Sequence, residues 1–486
     1  MRTAALLLII SLFLFFSCGP SPKEIKLVAI GDSITMCIQD GGLVKDYQNN
    51  CFPFLIAKQL GIASHFQQPL VSSPGFGIPP YKKPLRLEDG RIIAEYYEGD
   101  IDNIDKMALL QEIMPLLENI ALERPYDNLG VGGARLHDIM HTTSHGNSVL
   151  PGNFFFDIVL RFGRYSEGAT VLEQAIELEP EIVLLWIGNN DILGAVLAGG
   201  DETLITDSAE FRNDFASLLS ELQEKTGATI FMANIPGYLS FSYALDDIFQ
   251  LVDGFSQNNV PVLFDCETFQ PINFGNGEDV YIPLLTEEED VSFLLPSATV
   301  SYLQEGMGIP TKNQLQLPPY DFTESEALAL VAAMKTDPRL NTDGGAVGLQ
   351  VTGEHTITGS EEQVIRDAVV EFNEILQALS SQFNVPLVDI NGLWDPDKEG
   401  AFGGYSGEFV LDDPVNTVFS LDGVHPNNLG HAVIANVFID QINERLQLGI
   451  QTLNTEDYEG QYARCVGEGM KKHTIRALDG VKDLFR

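Results

Sequence analysis

The run Ile25-Lys-Leu-Val-Ala-Ile30 is apolar at nearly every position and shows no alternation of polar with apolar residues. A strand with one face in water alternates; a strand covered on both faces does not, and such strands belong to parallel sheets sandwiched between helices. Strands are expected at Lys26 to Ile30 and, by the same reading, at Asp127 to Val131, Ile182 to Ile187, Thr229 to Ile235 and Val385 to Ile390. Between and after them lie segments of helical period: Ser208 to Thr226, with Asp207 or Ser208 as cap and Gly227 as stop, then Glu361 to Phe383 and Pro426 to Leu446. Strands alternating with helices predict an α/β fold with a five-stranded parallel sheet and right-handed crossovers.

Two stretches break the alternation. Residues 39–125 contain the helical segment Phe52 to Leu60, then a proline-rich run from Pro74 to Pro84 and a hairpin signal at Asp89-Gly90. Residues 236–350 carry loop markers such as Asn313 to Tyr320 and Gly344-Gly345, and also apolar clusters, Tyr281 to Leu285 and Val291 to Leu295 among them. Both leave from strand ends on one side of the sheet and are placed to wall whatever site lies there. One reading makes the apolar clusters a satellite core of the insertion; the other has them roof Ser33, with Phe154-Phe-Phe156, as an acyl channel.

The chemistry-bearing residues cluster at that same side. Gly31-Asp32-Ser33 follows the first strand directly, and open α/β sheets bind ligands at the carboxyl ends of their strands. Asp422-Gly-Val-His425 sits near the end of the chain. An Asp three residues before a His can accept a hydrogen bond from the imidazole and leave the other ring nitrogen to take a proton from a serine. Asn128 to Gly133 and Gly188-Asn-Asn190-Asp191 each close a strand. A backbone N–H from a glycine loop and a side-chain amide are the donors that a developing oxyanion needs.

These four blocks, in this order, resemble the SGNH/GDSL hydrolase family, named for its catalytic Ser, Gly, Asn and His. The resemblance implies a three-layer α/β/α sandwich of flavodoxin-like type with large insertions. It implies Ser33 as nucleophile, His425 as base and Asp422 as its orienter, with Ser33 N–H, Gly133 N–H and Asn190 as the oxyanion hole. Asp32 and Asp191 are expected to support loop backbone rather than move protons. The activity implied is carboxylic ester hydrolysis, on an acyl or lipid ester, with no cofactor and no metal. An acyltransferase or glycan O-deacetylase using the same site stays open, as does a non-catalytic lipid-binding partner of an outer-membrane transporter. Residues Gln68 to Leu70, Thr170 to Ala175, Leu185 to Leu193 and Ser420 to Pro426 carry a closer resemblance to large envelope lipoproteins of this family from Gram-negative bacteria.

The chain begins with Arg2, an apolar run from Ala4 to Phe16 and then Ser17-Cys18. A basic start, an apolar stretch too short to span a bilayer and a small residue before the cut mark an export signal. Cysteine directly after the cut resembles a bacterial lipobox, although Phe15-Phe16 departs from the usual type. The organisation expected is a signal peptide at 1–17, a lipidated tether at 18–24 starting at Cys18, one hydrolase domain at 25–450, and a C-terminal extension at 451–486. That places the protein in the cell envelope, at the outer membrane, held by a lipid anchor; an ordinary export signal with an incidental Cys18 is the alternative. Cys37, Cys51, Cys266 and Cys465 then allow two disulfides in three connectivities, or four free thiols, and a bridge at Cys37 would brace the nucleophile loop.

A net charge of −41 on a chain that is 44% hydrophobic describes a folded acidic globule whose field repels nucleic acid and anionic membrane surfaces. Neutral esters suit such a surface better than phosphodiesters. His137, His141 and His145 recur every four residues, but Asp138 stands where a zinc protease needs Glu, so they are assigned to a polar helix face or rim. Gly130-Val-Gly132 lacks the third glycine of a dinucleotide fingerprint, since Arg135 holds that place. No Gly-x-Ser-x-Gly elbow occurs, and Trp186, inside an apolar run, reads as core.

Overall fold

The computed structural model describes residues 25–79, 81–88, 91–93, 95, 97, 106–161, 168–237, 243–244, 291–294, 316, 323–325, 328–329, 356–394, 402 and 417–458. Its centre is a five-stranded parallel sheet: β1 (Leu27–Gly31), β2 (Asn128–Gly130), β3 (Ile182–Trp186), β4 (Thr229–Ala233) and β5 (Leu387–Val388), in the order β5-β4-β3-β1-β2. The strands lie where the apolar runs predict them, β1 one residue later and the other four trimmed at one or both ends. β5 is trimmed most: the amide of Val385 turns back to Ser380, Pro386 has no N–H to donate, and the amide of Ile390 turns back to Val388.

Because successive side chains point to opposite faces, β1, β3 and β4 each feed two cores. Val28, Ile30, Val183, Leu185, Ile230 and Met232 pack into one, against α3 (Leu136–His141), α4 (Phe155–Val159), α5 (Val171–Glu177), α6 (Asn190–Leu197), α7 (Ser208–Thr226) and α8 (Gly359–Phe383). Leu27, Ala29, Leu184, Trp186, Phe231 and Val388 pack into the other, against α2 (Phe52–Gln59) and α9 (Asn428–Leu446). The result is a three-layer α/β/α sandwich.

Aromatic rings fasten both outer layers. Trp186 is 1% exposed, and Phe52 of α2 meets it edge-on with 5.7 Å between centroids. Phe52 also stacks on Phe438 of α9 at 5.2 Å, and Trp186 itself lies 6.5 Å from Phe438, so one strand residue meets both helices of that layer. On the opposite face Phe211 of α7 stacks on Phe372 of α8 at 4.1 Å. α7 starts and stops as its sequence predicts: Asp207 accepts from the amides of Ala209 and Glu210, and Gly227 ends it at φ +68°.

Register brings the strand ends level. Gly31 of β1 lies opposite both Trp186 of β3 and Gly130 of β2. The chain leaves β1 toward β2 on one side and later returns to build β3 on the other, which makes the β1/β3 boundary the topological switch point where open sheets leave a crevice. Ser33, the 131–133 loop and Asn189-Asn190 all emerge from this edge.

Elsewhere, Arg86–Glu88 and Arg91–Ile93 pair antiparallel with Glu88 opposite Arg91, a hairpin with a two-residue connection. Within the 236–350 stretch, Tyr243–Ala244 and Val291–Leu294 join Thr356–Thr358 in a small antiparallel sheet. The remaining apolar clusters of that stretch, the export signal, Cys18, Cys266, Cys465 and the extension beyond 458 fall outside the described residues. No described helix is long and apolar enough to cross a membrane.

Candidate active site

The turn after β1 is built for close approach. A side chain at Gly31 would meet the Thr35 hydroxyl at 2.1 Å and the Trp186 carbonyl at 2.3 Å, so only glycine lets β1 run into α1 (Ser33–Met36) this tightly. Asp32, fully buried, caps the helix by accepting from the Ile34 amide at 3.0 Å and receives the Asn189 amide at 2.7 Å. Since Asp32 takes the Ile34 N–H, the N–H of Ser33 at the helix start is left for a ligand. From β2, Asn128 donates to the Thr35 carbonyl at 2.8 Å and so ties the glycine loop to the same turn. Cys37, which ends α1 at φ +77°, is disulfide-bonded to Cys51, the residue before α2.

The Asp422 to His425 loop reaches the segment just after α1 from the far end of the chain. His425 Nδ1 lies 3.0 Å from an Asp422 oxygen, and the Asp422 carboxylate also accepts from the amides of Val424 and His425 at 2.9 Å each. A fourth donor comes from another segment: the Gly41 amide, at 2.6 Å. The neighbouring residue seals the contact. Asp40 accepts from the Leu421 amide at 2.8 Å and from the Tyr47 hydroxyl at 2.7 Å, while its own amide donates to the Ser420 hydroxyl at 2.9 Å.

Electrostatics follow this geometry. Burial disfavours the charged form of Asp422, yet the charge of His425 and the hydrogen bonds from His425 and Val424 hold its pKa down at about 2. Burial likewise opposes charge on His425, but Asp422, then Asp32 and Asp40, raise it above the ordinary imidazole value. The hydrogen bonds through Gly41 and Asp40 fasten the His425 loop to the segment that follows α1. Burial pushes Asp32 up to about 6 and Asp40 to about 7, with the nearby Asp422 charge adding to the latter. His431, buried against Phe52 and repelled by His425, is pushed down to about 3 and stays neutral.

The glycine loop is fixed by a residue that sequence reasoning missed. Asn153 donates to the Gly132 carbonyl at 2.7 Å, and across a trans peptide the N–H points away from the C=O, so this bond sets the direction of the Gly133 N–H. Gly133 itself has φ +72°, a conformation glycine holds without strain. Asn190 donates one amide hydrogen to the Ala134 carbonyl at 2.9 Å, which leaves its second donor. Asp191, raised to about 6 by burial, accepts from the Leu136 amide at 2.9 Å and the Thr206 hydroxyl at 2.8 Å, joining α3 to α6.

Asp40, Gly41, Tyr47, Asn153 and Asn189 thus join the residues expected from sequence. Only the pairing of Asn189 with Asp32 had a visible signal, its place inside the Gly188 to Asp191 block. Apolar surface adjoins the glycines: Phe155 lies against Gly132, and Leu150, 55% exposed, lies against Gly133. Phe154 and Phe155 stack at 4.5 Å and both reach Phe76. A cavity of about 400 Å³ lined by Lys26, Ile62, Arg124 and Asp127 lies at the amino end of β1, the end opposite Ser33.

The three histidines part company. His137 Nδ1 lies 3.1 Å from Asp214 on α7, with the His141 ring 4.2 Å from that of His137, whereas His145 turns to Asp157 at 2.5 Å.

No protein-family model matches the sequence, and no curated protein does. The solved structures that align with it include two of low similarity. An acetyl xylan esterase aligns over 86% of this chain and 100% of its own, with 11% identity and a TM-score of 0.30. A protein described as a GDSL-like lipase, from Parabacteroides merdae, aligns over 86% and 96%, with 13% identity and a TM-score of 0.28. At such TM-scores these likenesses carry no weight beside the geometry.

Proposed function

We propose that the chain is a serine esterase that hydrolyses neutral acyl or lipid esters. The observation that carries this reading is Asp422, a carboxylate 8% exposed and held by four donors, with His425 Nδ1 as one of them and the amide of Gly41, in the loop that follows the Ser33 helix, as another. An imidazole whose Nδ1–H is committed to Asp422 presents Nε2 as the base.

Ser33 Oγ attacks the ester carbonyl while His425 takes its proton. The oxyanion collects hydrogen bonds from Ser33 N–H, Gly133 N–H and Asn190, and collapse expels the alcohol, protonated by His425. Water, deprotonated by the same imidazole, then releases the acid from the acyl-serine. Phe155 and the exposed Leu150 beside the glycine loop favour an apolar acyl group.

Nitrophenyl esters of increasing chain length test both parts. Ser33→Ala should cost roughly 10⁶ in kcat and leave about 10³ to 10⁴ over water. Each methylene fully buried against the exposed Leu150 is worth about 0.8 kcal/mol, so kcat/KM should climb by up to about fifteen-fold per two carbons until the surface ends. Turnover undiminished in Ser33→Ala sinks the assignment; a profile that peaks at acetate replaces lipid esters with acetyl esters. The reading includes a lipid anchor on Cys18, which Cys18→Ser should abolish, releasing the protein from the membrane fraction or leaving it unprocessed.

A further inference from the structure

We infer that His137, His141 and Asp214 bind one divalent transition-metal ion of the zinc class, which pins α3 to α7 outside the catalytic machinery. One ligand atom from each residue lies within 4.8 Å of the others. The two histidines stand one turn apart on α3, so their imidazoles share a face. The carboxylate comes from a different helix, α7, so the set is assembled by packing and not by local sequence alone. Imidazole and carboxylate together suit zinc, and three protein ligands leave a fourth position for water.

Alternatives account for the cluster less well. As an ion pair alone, His137 and Asp214 at 3.1 Å would be a part-exposed surface contact of small value; helix spacing adds the His141 imidazole, 4.2 Å away between ring centres, and an ion would use all three groups. Donors around a tetrahedral ion with bonds near 2.1 Å stand about 3.4 Å apart, so the observed spread closes by small side-chain rotations. His137 and Asp214 retain the freedom for that, with side chains 45% and 21% exposed. The net charge of −41 draws cations toward the surface.

The site's location gives the ion a mechanical role. α3 begins three residues after Gly133, and Asp191 already holds its first amide. An ion at His137 and His141 would fix the remainder of the helix to α7 and steady the segment that follows the glycine loop.

Zinc uptake by the purified protein, in competition with a chromophoric chelator, tests the site without reference to activity. The expected result is one tight zinc per chain. Binding should be lost in His137→Ala/His141→Ala, weakened at least about tenfold in Asp214→Asn, and kept in Ser33→Ala. Zinc should also raise Tm in wild type and not in the double variant. A His137→Gln/His141→Gln pair, which preserves a polar helix face, serves if the alanine pair does not fold. Zinc uptake undiminished in the double variants, or no uptake by wild type at micromolar zinc, overturns the proposal. Either result leaves the esterase reading standing, since none of these residues belongs to the triad.

Discussion

The turn that carries Ser33 and the loop from Asp422 to His425 are both rich in hydrogen bonds, yet they are held in different ways. Ser33 stands on a strand and a helix joined without slack, and its supports, Asp32 and the strand-end residues Asn128 and Asn189, arrive with the sheet register. The Asp422 to His425 loop has no strand beneath it. Its position comes from a reciprocal clasp in which Gly41 donates to Asp422, Leu421 to Asp40, and Asp40 to Ser420. The first is precise because secondary structure is; the second is precise only while the 38–42 loop is.

The comparison breaks most sharply at Asp422. Asp422→Asn removes the charge that orients and raises His425 and should cost about 10⁴ in kcat with the fold intact. Ser33 should keep its place throughout, as its supports are elsewhere. Activity within tenfold of wild type would show that the base loop is not what places the imidazole.

On the nucleophile side the two amides divide by role. On the proposed mechanism Asn190→Ala removes an oxyanion donor outright and should cost about 10² to 10³ in kcat. Asn153→Ala leaves the Gly133 N–H present but no longer aimed, so a smaller loss is expected, mostly in kcat and not in KM. Equal losses in the two variants would contradict the assignment of Asn153 as a positioning residue.

What could be read in advance follows the same division. Continuous apolar runs are enough to place all five strands, since a strand buried on both faces leaves that mark in sequence, and helix periodicity places α7, α8 and α9. Asp422 and His425 are three residues apart and so visible together. The clasp is not: Asp40 and Leu421 lie 381 positions apart, and nothing local in Gln39-Asp40-Gly41 says that its partners are a loop near the far end of the chain. Asn153 is hidden for the same reason, as its bond is to a backbone carbonyl. The grouping of His137 and His141 with Asp214 depended on helix packing that periodicity alone does not supply.

The disulfide sharpens the comparison because it serves the clasp more than the nucleophile. Cys37 and Cys51 bracket the loop carrying Asp40 and Gly41. Cys37→Ser/Cys51→Ser should lower stability by roughly 3 kcal/mol, as expected for a closed loop of this length. Turnover should fall too, because the loop that orients Asp422 loosens, while acyl-serine formation by the His425 that remains in place keeps the same pH dependence. A variant as stable as wild type in thermal unfolding would remove the bridge from the account.

Asp40 gives the smallest and most specific test. Its pKa is about 7 in the folded protein, above the ordinary carboxylate value, because burial and then Asp422 disfavour its charge. A carboxyl that holds its proton more tightly when folded contributes stability below pH 4, and that contribution is lost as pH rises through about 7. Asp40→Asn does not ionise, and its side-chain oxygen can still accept from Leu421. Its stability relative to wild type should therefore improve steadily between pH 4 and 8 in parallel denaturant titrations. The same substitution removes a charge that raises His425, so the acid limb of kcat/KM should move to lower pH while the plateau changes little. Asp32 and Asp422 continue to raise His425, which keeps the shift small. An acid limb that stays in place, with a stability difference flat in pH, would mean that Asp40 acts only through the shape of its hydrogen bonds, and the clasp would then be mechanical without being electrostatic.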